Sequence, residues 1–179
     1  MAEFTLVKKH TSDLSYEDIR AIETLMIGVY EGNFTLTDLD HALGGIHVLM
    51  YGNKQLVGHV SVVQRNMTVL DVPYRVGYVE ALGVKKEYRK KGMGHQLMKT
   101  CKHIIKESYH FGVLSTPTNL HYFFQRLNWQ PWLGQLSTYT PTGLQEFKDE
   151  NQTVFIYSPN LSLDLAKPLI SDFRGEKSW

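Results

Sequence analysis

Cysteine is almost missing from this chain: Cys101 is the only one in 179 residues. A single thiol cannot build an internal disulfide framework, and it fits a reducing, cytoplasmic compartment. No Cys-x-x-Cys pair occurs and the eight histidines lie apart along the chain, so no structural zinc site or other metal site is expected. Apolar runs are short, and none approaches the roughly 20 residues that cross a bilayer. The opening Met1-Ala2-Glu3-Phe4 carries an acid and no long apolar stretch, which argues against a secretory signal. Excess charge is also lacking. A net charge of +1 gives no field for nucleic acid or an anionic membrane. What is there is ordinary soluble composition, 42% hydrophobic and 21% charged, in a length suited to one domain over residues 1–179.

Alternation from Glu3 to Lys9 predicts an edge strand. Ser15-Tyr16-Glu17-Asp18 reads as a capping box, followed by Ile19, Ile22, Met26 and Val29 at helical spacing. Thr35-Leu36-Thr37-Asp38 opens a shorter helix that ends at Gly44-Gly45. Apolar runs over 46–51 and 55–64, joined at Gly52-Asn53, signal a hairpin. A third run over 74–84 follows a turn at Asp71-Val72-Pro73, and Gly83 near its end marks a bulge or a close backbone approach. From Gly92 to Ser108, Leu97, Met98, Cys101, Ile104, Ile105 and Ser108 share one helical face, which makes Cys101 a core residue. A strand over 111–115, a helix over 118–127 and strands over 135–139 and 153–157 follow, and 160–179 shows no clear period. The fold class is α/β (α+β), with a mixed, mostly antiparallel sheet flanked by helices.

The chemistry concentrates at Glu80 to Gly94. Lys85, Lys86, Arg89, Lys90 and Lys91 face only Glu87 in charge, and Arg89-Lys90-Lys91-Gly92-Met93-Gly94 opens the amphipathic helix. Alone, such a run is usually a solvated face. Next to glycines and a helix N-terminus, it makes a cradle for a pyrophosphate. A dinucleotide fingerprint would need glycine at Leu97, and a phosphate loop of the ATPase type would need Lys-Ser/Thr after Gly94, where His95-Gln96 stands. The remaining pattern, Arg-x-x-Gly-x-Gly after an apolar strand, resembles the CoA-binding motif of the GCN5-related N-acetyltransferases.

The likeness extends further. Glu31-Gly32-Asn33-Phe34-Thr35, the segment from His41 to His47, Gly77 to Ala81, and Asp172-Phe173-Arg174-Gly175 through Trp179 resemble segments of aminoglycoside 2'-N-acetyltransferases. The resemblance implies acetyl-CoA as cosubstrate, a sheet splayed beside a bulged fourth strand, and a homodimer. It implies that Leu82, Gly83 and Val84 contact pantetheine through their backbone, beside ordinary strand packing. The pyrophosphate falls to Arg89, Lys90, Lys91, Gly92, Met93 and Gly94. It places Asn33, Asp38, Glu80, Ser115, Glu150 and the C-terminal Trp179 around a cationic small-molecule amine. Asp38 has a competing reading as the partner of Thr35 in a capping box, and Glu150 one as a solvated loop residue. Glu80 is harder to dismiss, because an acid inside the apolar run 76–84 must be paired, hydrogen-bonded or functional.

The resemblance also casts Glu80 as the acceptor of the amine's proton and a backbone N–H near Val84 as the holder of the developing oxyanion. Three positions depart from the family. Asn33 stands where an aspartate is common, and Lys177 stands where an acid precedes the last two residues, with Glu176 beside it. Phe124 replaces the tyrosine expected to protonate the leaving thiolate, and Tyr122 lies on another part of its helix. A thiolate of pKa about 8.5 leaves without full protonation, so a slower enzyme is expected. Other readings stay open: an acetyltransferase of the same fold acting on a polyamine or peptide, or a CoA- or drug-binding protein with little turnover.

Overall fold

The computed structural model describes residues 4–175 and 178–179. In chain order the elements are β1 (Phe4–His10), α1 (Tyr16–Val29), α2 (Leu36–Ala42), β2 (Ile46–Gly52), β3 (Gln55–Val69), β4 (Val72–Val84) and α3 (Met93–Ser108). Then come β5 (Phe111–Pro117), α4 (His121–Gln125), β6 (Gln130–Pro131), β7 (Leu136–Thr140), β8 (Gly143–Phe147), β9 (Gln152–Tyr157) and β10 (Leu169–Ser171). The α+β class read from the sequence is what the chain adopts. The strand expected from Glu3 is β1, although Glu3 itself lies outside the described residues, as do Glu176 and Lys177.

The chain packs as two compact units, Met1–Val63 with Val79–Ile104, and Gln64–Tyr78 with Ile105–Trp179. In the first, β1 pairs antiparallel with β2 and β2 with β3, in a register that runs from Ile46↔Val62 to Gly52↔Gln55. The hairpin turn has both central residues, Asn53 and Lys54, at positive φ, which is the conformation that follows the right-handed twist of the strands. Leu70 and Asp71 turn β3 into β4 in the same way, starting one residue earlier than Asp71-Val72-Pro73 suggests. Val72 and Pro73 therefore already belong to β4.

Both capping boxes form. Ser15 accepts from the Asp18 N–H and Thr35 from the Asp38 N–H, and each aspartate reaches back to its cap. Lys9 adds an ion pair to Asp18 at 2.6 Å. The apolar stripe of α1, Ile22, Leu25 and Met26, then packs with Phe34, Ala42, Leu49, Leu56 and Ala81. On α3, Met93, Leu97, Met98, Cys101, Ile104 and Ile105 are buried, whereas Ser108 is exposed where the last turn leaves the core. Burial also pushes the Cys101 thiol up, away from reactivity.

In the second unit β5 runs parallel to β4 from Val76↔Phe111 to Tyr78↔Val113, and antiparallel to β9. β6 lies on β9, β7 pairs antiparallel with β8, and β10 pairs parallel with β7 and antiparallel with β3. The helix expected over 118–127 is one 3-10 turn, Thr118–Leu120, and the short α4. β8 and β10 were not legible in the sequence, and β10 falls in the segment without a clear period.

Two glycines show where the backbone has no room. A Cβ on Gly45 would sit 2.1 Å from the Val62 carbonyl oxygen, and one on Gly83 would sit 2.6 Å from the Met26 methyl. The first obstacle is sheet backbone and the second is the free end of a flexible side chain. We therefore expect Gly45→Ala to cost about 3 kcal/mol and Gly83→Ala about 1 kcal/mol, read as urea unfolding free energies. Equal losses would show that the two sites yield alike.

Candidate active site

The fourth strand carries the centre of the site. Within it Ala81 adopts φ 48°, a left-handed conformation rare for any residue but glycine or asparagine, between half-buried Glu80 and Leu82. This locates the kink that the sequence led us to expect at Gly83. Gly83 serves the other role expected of it, a close approach, in this case by Met26 and Val29 of α1.

Three groups of the first unit, two from β3 and one from the end of α1, hold the kinked segment. Ser61 Oγ reaches the Glu80 carbonyl at 3.5 Å, His59 Nδ1 lies 2.9 Å from the Ala81 carbonyl oxygen, and the Tyr30 hydroxyl donates to the Leu82 carbonyl at 3.2 Å. Three successive carbonyls thus have side-chain partners. Tyr30 closes α1 and stacks near Phe34, with ring centroids 5.7 Å apart. The residue as a whole is 41% exposed, and desolvation is still the largest influence on its phenol. Burial first, then the charges of Glu80 and Asp38, pushes the phenol up to about 12. Both carboxylates therefore act on one hydroxyl.

Asp38 is also held locally. Its Oδ2 accepts from the Thr35 amide at 2.8 Å and from the Thr35 hydroxyl at 2.7 Å. Asn33 is exposed, just after Glu31 and Gly32 turn the chain with positive φ.

Past the kink, Leu82, Gly83 and Val84 lead into the basic turn. Arg89 Nε donates to the Val84 carbonyl at 3.0 Å and its Nη2 to the Val29 carbonyl at 3.4 Å, so this guanidinium staples the turn to α1 and β4. Lys91 donates to the Glu87 carbonyl at 2.8 Å and lies over the Tyr88 ring. Lys90 and Gly92 take φ of 60° and 81°, and no atom lies within 4 Å of where a Gly92 Cβ would stand. The first turn of α3, from Met93, presents backbone N–H groups that no carbonyl of the helix can reach. An open left-handed turn, flanking lysines and a bare helix N-terminus fit a pyrophosphate.

In the second unit Ser115 lies on β5, half-buried, with its Oγ 3.5 Å from Gln152 Oε1. Glu150 sits in the exposed turn between β8 and β9. The Trp179 indole is buried, donates to Thr138 Oγ1 at 3.0 Å and lies 5.9 Å from the Phe147 ring. These three have separate partners. Phe124 is buried against Trp129 and Phe155, while Tyr122 is 69% exposed with Arg126 donating to its hydroxyl at 3.4 Å.

Sequence reading missed a buried histidine pair. His47 Nδ1 and His59 Nε2 are 2.9 Å apart, and His47 Nε2 lies 2.9 Å from Thr11 Oγ1. The two residues are twelve positions apart in the sequence, and only the register of the β2–β3 hairpin brings them onto one face. Burial holds both well below the ordinary imidazole value. His47 falls to about 4, helped by His10, and His59 to about 3, helped by His47.

The profile of the acetyltransferase (GNAT) family matches residues 15–129. An aminoglycoside 2'-N-acetyltransferase of Mycolicibacterium fortuitum is 30% identical over 174 residues, covering 95% of this chain and 89% of that one. Among solved structures, ElaA of Escherichia coli superposes with a TM-score of 0.63 at 21% identity, over 88% of this chain and 100% of its own. An acyl-CoA N-acyltransferase from Pseudomonas aeruginosa gives 0.65 at 16% identity, over 87% and 100%. At such identities these two structures speak for the fold.

The buried pair has a measurable consequence. Unfolded, both imidazoles bind a proton near pH 6.5, whereas folded they resist it down to about 4 and about 3. The unfolded state therefore takes up more protons in that window. Stability is intact above pH 6.5 and falls as the pH drops toward 4. Urea midpoints at pH 7 and pH 4.5 check this, and equal midpoints would rule out a neutral buried pair.

Proposed function

The chain belongs to the acetyltransferase (GNAT) family and is an acyltransferase enzyme; from that premise we propose that it acetylates the 2'-amine of aminoglycosides, using acetyl-CoA. The observation that carries the acceptor is the match to the Mycolicibacterium fortuitum aminoglycoside 2'-N-acetyltransferase over nearly the whole chain. The electrostatics agree with it. Glu80 and Asp38 act together on the Tyr30 hydroxyl, and two neighbouring carboxylates suit an acceptor that carries several ammonium groups.

On this reading the amine nitrogen attacks the thioester carbonyl, the C–S bond breaks, CoA departs as thiolate, and the amine's proton passes to Glu80 directly or through one water. A backbone N–H near Val84 stabilises the developing oxyanion. Leu82 to Val84 line the pantetheine and the turn from Arg89 to Gly94 takes the pyrophosphate, Arg89 by shaping the turn and the backbone of Gly92 to Gly94 by meeting the phosphates. Asn33 and Asp38 of the first unit belong to the acceptor's surroundings in the proposal, Ser115, Glu150 and Trp179 of the second are each proposed as acceptor-binding residues on the family likeness, and a homodimer belongs to it as well. A second reading, acetylation of a polyamine or peptide amine, is favoured by Asn33, which stands where the aminoglycoside acetyltransferases commonly carry an aspartate.

Calorimetry with a kanamycin-type aminoglycoside and with spermine, followed by mass spectrometry of products formed with acetyl-CoA, decides between them. We expect one acetyl group on the aminoglycoside, and Glu80→Gln lowering kcat by roughly 10²-fold, most at pH values where the amine is protonated. Acetylated spermine with an untouched aminoglycoside would transfer the assignment to the second reading.

Phe124 generates a separate expectation. A phenol there would supply the proton that the departing thiolate now does without, an interaction made only in the transition state. Phe124→Tyr should raise kcat by about tenfold with KM for acetyl-CoA little changed. A lower kcat would show that the new hydroxyl is lost in the aromatic cluster of Trp129 and Phe155.

A further inference from the structure

The hydrogen bonds around His47 and His59 have only one consistent set of directions. The Ala81 carbonyl oxygen can only accept, so His59 donates to it from Nδ1 at 2.9 Å. A neutral His59 then has Nε2 as an acceptor, and the proton between the two rings belongs to His47 Nδ1, 2.9 Å away. His47 Nε2 is in turn an acceptor, and Thr11 gives its hydroxyl hydrogen to it at 2.9 Å in preference to the Gly45 carbonyl at 3.2 Å, which already accepts the Thr11 amide at 3.0 Å. With that hydrogen committed, Thr11 Oγ1 accepts the Gly44 amide at 2.8 Å and the Gly45 amide at 3.2 Å. Every hydrogen in this row points the same way, from the α2–β2 loop through the sheet to Ala81.

The row ends on a peptide carbonyl. A carbonyl cannot pass a proton onward, so the histidines do not form a proton path to Glu80. They are also buried from solvent, both at zero exposure, and they do not belong to the acceptor surface. What the row reaches is the peptide between Ala81 and Leu82, at the left-handed kink of β4. The orientation of that peptide decides where the Glu80 side chain stands before it and where the Leu82 to Val84 amides aim after it.

The structure assigns to His47 and His59 the role of positioning residues for acetyl transfer: a one-way hydrogen-bond row from Thr11 fixes the Ala81 peptide and, through it, the geometry of Glu80 and the following amides. This rests on the family's acetyl-transfer activity and is independent of which amine accepts the group. An oriented row holds a carbonyl better than a lone donor would, because each acceptor in it is itself held by the next donor. The same logic applies to histidines whose remaining nitrogen fixes the tautomer of the working one.

The tautomers are the most direct check and need no substrate. Nitrogen-15 NMR of histidine-labelled protein at neutral pH should show both His47 and His59 protonated at Nδ1, and an Nε2-protonated His59 would overturn the assignment. Side-chain replacement gives the second check. Asparagine at 59 places an amide N–H where Nδ1 stands, whereas glutamine places its amide where Nε2 stands. We expect His59→Gln to lower kcat tenfold or more and to weaken acetyl-CoA binding about fivefold by calorimetry, with CoA affinity within twofold of wild type. His59→Asn should recover both to within about threefold. If losses in the two variants follow their melting temperatures and not the presence of the Nδ1-like donor, the role is structural alone and the proposal fails. Should wild-type protein turn over no aminoglycoside, the acceptor assignment falls, while the tautomers and the acetyl-CoA to CoA affinity ratio still judge the row.

Discussion

Much of the first unit depends on one peptide held in an unfavourable conformation. Left-handed backbone at a residue with a Cβ costs about 1–2 kcal/mol, and it occurs here inside a sheet, where the alternative is a regular strand. Ser61, His59 and Tyr30 each meet one of the carbonyls of Glu80, Ala81 and Leu82, and bonds of this kind contribute about 1 kcal/mol apiece. Three such bonds are enough to offset the strain. Without them β4 has no reason to kink, and Glu80 and Leu82 would keep the strict alternation of an ordinary strand.

The parts legible in the sequence were those written within a few residues of one another. Ser15 with Asp18 and Thr35 with Asp38 are local devices, and both form as read. The buried face of α3 from Leu97 to Ile105 follows from period alone, and so does the burial of Cys101. The kink was legible only as a tendency. Gly83 attracted the prediction because glycine tolerates positive φ, yet the conformation sits at Ala81, where partners from β3 and α1 impose it. The histidine pair was invisible for the same reason. His47 and His59 meet through a hairpin register that includes a shift between Met50 and Tyr51, and nothing local in either segment announces the contact. Exposed β8 shows no buried alternation, and β10 is three residues long, so neither leaves a periodic trace.

The basic turn shows how charge and geometry divide their work. Its sequence reads as a cluster of cations waiting for phosphates, but Arg89 and Lys91 are partly spent on backbone carbonyls at Val84, Val29 and Glu87. A guanidinium that bridges the end of β4 and the end of α1 fixes the approach of the turn to the start of α3. In the proposed phosphate site the anion preference would then come from the helix N-terminus and from Lys90, with no atom within 4 Å of where a Gly92 Cβ would stand. Arginine suits the bridging role because its planar fork serves two acceptors at once, which a lysine at 89 would not reproduce.

The tail segment that carried much of the family likeness has its own physical reason within the second unit. Arg65 is buried on β3, and a buried guanidinium left without partners would cost several kcal/mol. Asp172 supplies a carboxylate at 2.7 Å and its own carbonyl at 2.8 Å, and the Ser178 carbonyl accepts a further bond. Arg65 and Arg174 each lie 4.9 Å from the centre of the Tyr78 ring, so two like charges share one aromatic face system and Asp172 is needed to balance them. Gly175 takes φ 86°, and the Trp179 indole reaches Thr138, which is bonded in turn to Ser171 of β10. Asp172 and Ser178 are thus tied directly to one buried cation on β3, and Arg174 shares an aromatic ring with it. Within a motif that looks like a signature for binding, Asp172 is first a solution to the burial of Arg65.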